Sequence, residues 1–597
     1  MKNPAMRFSA GSGGYARSPL LGVKLPPGRA WLVKGLLYAA FGALALRAFW
    51  VQVWTTQFYQ DQGELRFVRT IELPAMRGRI LDRNGNILAS SIPAKTIWAD
   101  PSVVSTSDQK VGELARLLGL DPDTLSRRLA MDKQFVYLKR QVDIDVARRV
   151  KALGIKGIYE SPSYRRYYPE GSAAAQLIGF TNIDGQGQDG LELSLQSRLA
   201  GHPGVRKVVK DRLGNVIEDV SGGVPPVDGQ DVRLSIDSKI QYLTYQALKQ
   251  AVQDNRAKNG SAVVLDARTG EVLAMANYPS FDPNTRQRMN ESDIRNFALT
   301  DAYEPGSVMK PLTLSAALQS GLITPRTVFH TAPGCQQFYG ANICDDSDNG
   351  DITLAQVIQY SSNVATSQVV SRMSPQLQWD MYTALGLGQR PQIEFPGATS
   401  GLMRPMKRWR PIDRLTMGFG YGIGVSTLQL AHAYLIFADR GRIFPVTLFK
   451  RNEAPQGVQV VSPQVAREMR GMLGLVTQPG GTAPAAAIPG YSTGGKTGTA
   501  WIARDGRYDK KLFRAQFVGL APIQHPVLVM AVSVDQPSAG KHFGGEVSAP
   551  VFAQVVPQAL RILGVQPDLP VKPDLVPASV AQAAQRGAGT AAAEVAR

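Results

Sequence analysis

Twenty residues near the start, GLLYAAFGALALRAFWVQVW from Gly35 to Trp54, constrain this chain more than any other feature. As a helix, a run of that length crosses a bilayer. Its one charge, Arg47, lies toward the far half, where a long aliphatic stem lets the guanidinium reach the interface. Trp50 and Trp54 suit the same interface. The preceding residues carry Lys2, Arg7, Arg17, Lys24, Arg29 and Lys34 and no acid, which places residues 1–34 in the cytoplasm as a basic tail and sends the rest across. A cleaved signal peptide is the competing reading, since ALA at 43–45 resembles a cleavage site. The length of the basic region and the apolar residues that continue past it favour a retained anchor at 35–54.

At 597 residues the chain exceeds one ordinary domain. It is basic, with 66 Lys and Arg against 48 Asp and Glu. That balance suits an anionic polymer or membrane surface, and no zinc-finger, RNA-recognition or helix-turn-helix pattern points to nucleic acid. With five histidines and no HExxH, no metal site or cofactor is expected. The two cysteines, Cys335 and Cys344, lack metal spacing and could pair locally outside the cytosol.

Beyond the anchor, RNGN at 83–86 reads as a hairpin turn between short strands. Residues 107–151 carry apolar positions at helical spacing and read as largely helical. A Gly/Pro-rich passage, SGGVPPVDGQD, marks a domain boundary near 225. After it come a strand, a long helix, and GSAVVLDARTGEVLAMANYPS, which alternates like two antiparallel strands. Helices and loops alternate to about 440. Strands return at GGKTGTAWIA, RAQFVGLAPI and PVLVMAVSVD, and a helix follows at APVFAQVVPQALRILG. This order predicts an α+β body whose antiparallel sheet draws strands from both ends of residues 226–565. Residues 566–597, rich in Pro, Ala and Gly, read as a disordered tail.

The chemistry concentrates at YEPGSVMKP, Tyr303–Pro311. Ser307 and Lys310 share a face if a helix starts near Pro305 or Gly306. The helix N-terminus favours negative charge developing at an attacked carbonyl. Apolar cover from Val308, Met309, Pro311 and Leu312 would lower the lysine pKa and free a neutral amine to act as base. SxxK alone is a common accident. Two further patches follow in order: YSSNVATS, with Ser361 and Asn363, and GGKTGTA, with Lys496, Thr497, Gly498 and Thr499. Each alone also fits a cap or a turn. Together they form a long-range constellation.

That set resembles the penicillin-binding and serine β-lactamase superfamily. Over roughly residues 30–560 the chain is similar to class B penicillin-binding proteins, and within them to the cell-division peptidoglycan D,D-transpeptidases. RGRILDRNGNILA (77–89), RRYYPEGSAAAQLIGFTN (165–182), GLELSLQSRLAG (190–201), MGFGYGIGVSTLQLAHAY (417–434) and FGGEVSAPVF (543–552) extend the likeness. The resemblance implies an α/β pedestal of the dimerisation type at 65–225 and a transpeptidase domain at 226–565. It implies Ser307 as nucleophile and Lys310 as its base. Ser361 would relay a proton to the leaving amine, and Asn363 would hold the donor peptide. Lys496, Thr497 and Thr499 would grip the terminal carboxylate, with Gly498 allowing close approach. The N–H groups of Ser307 and Thr499 would form the oxyanion hole.

The implied substrates are peptidoglycan stem peptides on lipid-linked glycan strands, with β-lactams as covalent inhibitors. A membrane glycosyltransferase and other division proteins are the implied partners, because nothing between the anchor and Gly78 resembles a glycosyltransferase. The second motif is Ser-Ser-Asn where relatives also use Ser-Asp-Asn, which leaves activity intact. Gln176 stands where relatives often have histidine, and from its pedestal position it bears on partner contacts at most. An elongation-type transpeptidase, a carboxypeptidase or β-lactamase, and a non-catalytic division scaffold are the alternatives. The intact motifs weigh against the scaffold, and no water-activating group is identifiable for a hydrolase.

Overall fold

The computed structural model describes residues 26–58, 68–104, 110–210, 216–285, 290–453, 455–504 and 506–570. Most of the expected cytoplasmic tail and all but the start of the expected disordered tail lie outside these residues. The chain forms two compact units. One holds the described residues up to Leu73 together with Gly204–Pro225, and the other holds Pro74–Pro203 together with the described residues from Pro226 on.

In the first unit a helix spans Pro27–Phe49 and continues as one wider turn through Trp54. It begins eight residues before the apolar run, because Pro27 suits a first helical turn whose N–H needs no partner. None of its residues is buried, as expected for a helix solvated by lipid. Among the described residues it is the one helix long and apolar enough to span a membrane. The strands Val68–Leu73, Gly204–Lys210 and Val216–Val224 form a separate antiparallel sheet.

The second unit is built on a five-stranded antiparallel sheet. Its order is Val272–Tyr278, Asn259–Asp266, Leu528–Asp535, Arg507–Ala521, Gly494–Arg504, so the early hairpin pairs with the late strands as expected. All eight residues of Leu528–Asp535 are buried, which explains its unbroken apolar run. Successive residues of a strand face opposite ways. At Gly260 a side chain would meet Leu248 and Val252 of the Ser238–Asp254 helix. Its neighbour Ser261 bonds Thr427 across the other face at 2.7 Å. Helices thus cover both faces. The Ala549–Ile562 helix, opened by Pro550 and carrying Pro557 inside it, packs Phe552 against Phe517 of the sheet.

Pro74–Pro203 adds a second sheet around the long Ile87–Ala99 strand, and the RNGN turn joins that strand to Ile80–Leu81. Residues 107–151 hold the expected helices, as Lys110–Leu118, Pro122–Leu129 and Ile144–Ala152, and one unexpected strand, Val136–Val142, which lies between the second and third and pairs with Ile87–Ala99. Buried and exposed residues alternate along the first half of that strand, a short pattern masked in the sequence by helical spacing on both sides.

Gln176 is buried, so it makes its bonds within this chain. Its amide donates to Pro279 O and Asp293 O, both at 2.8 Å, and its carbonyl accepts from Ser280 Oγ at 2.9 Å.

The three family-like segments at 77–89, 165–182 and 190–201 meet at one buried charge cluster. Glu192, fully buried, accepts from Arg77 Nε at 2.6 Å and from Arg166 Nε at 2.7 Å. Arg77 also donates to Gln196 Oε1 at 2.7 Å and to Glu192 O at 2.8 Å. Removing the only carboxylate would strand two buried guanidiniums. Glu192→Ala is therefore expected to destabilise the detergent-solubilised protein by about 3–5 kcal/mol, read as a lower denaturant midpoint, whereas Arg79→Ala, at an exposed pair with Asp231, changes little.

Candidate active site

Tyr303–Pro311 folds as a 3₁₀ turn, Gly306–Met309, running into the helix Lys310–Gln319. Gly306 has φ +59, a left-handed conformation that suits glycine. Its N–H donates to Gly420 O at 3.0 Å, and a Cβ on Gly420 would sit 2.0 Å from Gly306 O. The turn lies against the outer strand of the main sheet, Gly494–Arg504. A Cβ on Gly498 would come within 2.7 Å of Pro305 O and 3.2 Å of Val308 Cγ1. Glycine there lets the first and third motifs touch. Gln516 Nε2 donates to Glu304 O at 3.1 Å, and Tyr434 Oη to Val308 O at 2.7 Å, which fixes the turn from the sheet and from the helical side.

Lys310 is fully buried. Its Nζ donates to Ser361 O and lies 3.1 Å from Ser361 Oγ. Burial lowers its pKa to about 7, against the opposing fields of Asp345 and Asp346. Lys496 is equally buried, and its Nζ lies 2.8 Å from the same Ser361 Oγ, 3.2 Å from Thr497 O and 3.3 Å from Thr497 Oγ1. Burial and then the charge of Lys310 push its pKa far below the usual lysine range, while Asp346 opposes. Two dry amines thus share one hydroxyl, and neither holds its proton as an ordinary lysine does.

Ser361 reaches both amines from a left-handed position, φ 64, at the C-terminus of the Leu354–Tyr360 helix. Its conformation presents both its carbonyl and its hydroxyl to the lysines. The Ser307 hydroxyl, half-buried on the turn, has no hydrogen-bond partner among the described residues. Lys310 points to Ser361 instead, so Ser307 and Lys310 share one turn without a hydrogen bond between their side chains.

Asn363 opens the Asn363–Arg372 helix, and its Nδ2 donates to Cys344 O at 2.9 Å. On the strand, Thr497 Oγ1 shares a 2.8 Å bond with Thr482 Oγ1. Thr499 Oγ1 accepts from Gly544 N at 3.1 Å, tying the third motif to the segment FGGEVSAPVF. Thr499 O lies 3.4 Å from where a Cβ on Gly306 would stand, so the strand at Thr499 passes beside the residue that precedes Ser307.

The structure therefore gathers Ser307, Lys310, Ser361, Lys496, Thr497, Gly498 and Thr499 around the contact of the turn with the outer strand, with Asn363 two residues beyond Ser361 at the start of the next helix. It adds residues that sequence reading missed. Thr482, in a stretch that reads as a plain turn, supports Thr497. Glu304, two residues before Gly306, accepts from Gly422 N at 2.6 Å and from Tyr508 Oη at 2.9 Å. Asp345 follows Cys344 with no motif to mark it.

A chemical consequence follows from a hydroxyl held between two amines, one or both short of a proton. It can pass a proton between them or to a group at Ser307. The acidic partners are offset from the pair, and the outer strand places the hydroxyls of Thr497 and Thr499 beside the Lys496 amine. This is the equipment for acyl transfer through serine.

The chain matches the family model for the penicillin binding protein transpeptidase domain over residues 260–557 and that for the penicillin-binding protein dimerisation domain over residues 72–234. It is 40% identical over 549 residues to a probable peptidoglycan D,D-transpeptidase, PenA, of Neisseria meningitidis, covering 91% of this chain and 94% of that protein. It is 40% identical over 548 residues to the peptidoglycan D,D-transpeptidase FtsI of Escherichia coli K12, covering 90% and 92%. Among solved structures, the TP domain of Burkholderia pseudomallei penicillin-binding protein 3 is 50% identical with a TM-score of 0.53, covering 56% of this chain and 98% of that one. Penicillin binding protein 3 of Mycobacterium tuberculosis, complexed with aztreonam, is 29% identical with a TM-score of 0.65, covering 84% and 99%.

Ser361 separates stability from chemistry. A non-glycine residue in the left-handed region costs about 1–3 kcal/mol, so Ser361→Gly relieves strain while deleting the shared hydroxyl. The expected result is unchanged or higher thermal stability with acylation slowed by about 10²-fold or more, read from the rate of covalent labelling by a fluorescent penicillin.

Proposed function

The chain belongs to the penicillin-binding protein transpeptidase family, and on that premise we propose that it cross-links peptidoglycan stem peptides at the division septum. It is a serine-type D,D-transpeptidase acting on peptidoglycan, a single-pass inner-membrane protein with its catalytic domain in the periplasm. The finer assignments are ours: the septal role, the residue roles, and the division into a pedestal at 65–225 and a catalytic domain at 226–565.

The observation that carries the reading of the site is the hydroxyl of Ser361 shared by two buried amines. In the proposed reaction the terminal D-alanine carboxylate of a donor stem docks at Thr497 and Thr499. Its negative charge favours a proton on Lys496, drawn from Lys310 through Ser361 Oγ. Lys310 is left neutral and accepts the proton of Ser307 as Ser307 Oγ bonds to the carbonyl between the two D-alanines. The N–H groups of Ser307 and Thr499 hold the oxyanion. As the C–N bond breaks, the proton reaches the departing D-alanine amine through Ser361. The amine of a neighbouring stem then attacks the ester, gives up a proton to Lys310, and restores Ser307. Asn363 Oδ1, which the Cys344 contact leaves open, accepts from the donor backbone.

A penicillin would enter the first half of this cycle as a substrate whose leaving group stays attached. Lipid-linked glycan strands carry the stems. A membrane glycosyltransferase and other division proteins supply and place them.

Labelled penicillin should modify Ser307, and Ser307→Ala should remain folded and take up no label. Acylation by Ser307→Ala would assign the nucleophile elsewhere. Because Lys310 must be neutral, the acylation rate should rise with pH through about 7, and a rate flat from pH 5 to 9 would remove Lys310 as base. Depletion from cells should give filaments, whereas round cells would assign the elongation role.

A further inference from the structure

The second motif does not stand alone. The strands Cys335–Phe338 and Ala341–Cys344 form a small hairpin whose first and last residues are directly opposite and joined by a disulfide. The residue after it, Asp345, is pinned at its backbone, with its N–H donating to Gly334 O at 2.8 Å. Its carboxylate then gathers three donors from the second motif. Oδ2 accepts from Ser362 Oγ at 2.6 Å, and Oδ1 accepts from the N–H groups of Asn363 and Val364, the latter at 2.9 Å. These are the first N–H groups of the Asn363–Arg372 helix, where a negative charge is favoured. Asn363 returns the contact to Cys344 O. Gln368, one turn on, donates to Gln336 Oε1 at 2.8 Å, so the hairpin grips the helix at two levels.

We propose that Asp345, carried on the disulfide-closed Cys335–Cys344 hairpin, is a positioning residue for the D,D-transpeptidase reaction: it fixes the Ser361–Asn363 turn so that the Ser361 hydroxyl sits between Lys310 and Lys496. The inference rests on the function proposed above. The turn is the part of the site with the most to lose. Ser361 is left-handed, Ser362 is extended, and Asn363 starts a helix, so three successive residues take three backbone conformations. Asp345 ties the second and third of them, and Val364 beyond, to one rigid point.

Asp345 also acts through space. The charged groups that bear on Lys310 are Lys496 from the strand and Asp345 and Asp346 from the loop after the hairpin. The two carboxylates hold a proton on Lys310, so removing either lowers its pKa. The neutral base then becomes available at lower pH.

The test is the pH dependence of penicillin acylation in the detergent-solubilised full chain. Asp345→Asn should lower the rate at pH 8 by about ten-fold or more, the scale of a sub-ångström to one-ångström misplacement. It should also move the acid limb to lower pH. Asp346→Asn, which makes no bond to the turn, should move the limb the same way and keep the pH 8 rate. Cys335→Ser with Cys344→Ser should lower the rate and leave the limb in place. A folded Asp345→Asn with the wild-type rate overturns the positioning role, and an unmoved limb overturns the through-space effect on Lys310. A wild-type rate in the paired cysteine variant overturns the part given to the hairpin. Failure of the wild-type protein to acylate at all counts instead against the function itself.

Discussion

Two amines with no access to water meet at a single hydroxyl, and the other parts of the site are arranged around keeping them there. Taking an ammonium group out of water costs several kcal/mol. The protein offsets part of that cost with Ser361 O, Ser361 Oγ and Thr497, and with two carboxylates that act at a distance rather than by contact. A direct ion pair would have stabilised the lysines better and made them useless as bases. Leaving them under-compensated brings Lys310 near neutrality, where it can exchange a proton at the pH of its surroundings.

The geometry that permits this is mostly an absence of side chains. Gly420 and Gly498 mark contacts at which backbone comes too close for a Cβ, and Gly306 takes a left-handed conformation between them. A turn, a loop and an outer strand therefore converge where alanine would clash at Gly420 and Gly498. The site is a junction of three pieces of chain, each held from behind: the turn by Tyr434 and Gln516, the strand by Thr482 and Gly544, the second motif by Asp345.

How much of this could be read in advance follows from where each signal lives. The anchor, the early hairpin and the late strands write themselves as apolar runs or alternation. The motifs declare their chemistry through fixed local spacing, as Ser307 and Lys310 do within one turn. Contacts between distant pieces carry no such mark. Asp345 looks like one acid in an acidic loop, Thr482 like one residue of a turn, and Gln176 like a surface polar group until its carbonyl partners are seen. Val136–Val142 was hidden for a local reason, being a short strand between two well-patterned helices. The anchoring helix extends back to Pro27 because hydropathy finds where lipid is, whereas a proline at the first turn decides where a helix starts.

The main sheet has a consequence for how the protein reaches its working state. Asn259–Asp266 pairs along its length with Leu528–Asp535. A chain threaded outward from its N-terminal anchor delivers the first of these long before the second. During export its hydrogen-bonding edge, flanked by a run of buried-type residues, waits bare for a partner still on the other side of the membrane. Such an edge is an invitation to mispairing with any strand nearby. The catalytic body thus closes only when its last strands arrive, and the order of delivery bears on an edge that the finished enzyme no longer shows.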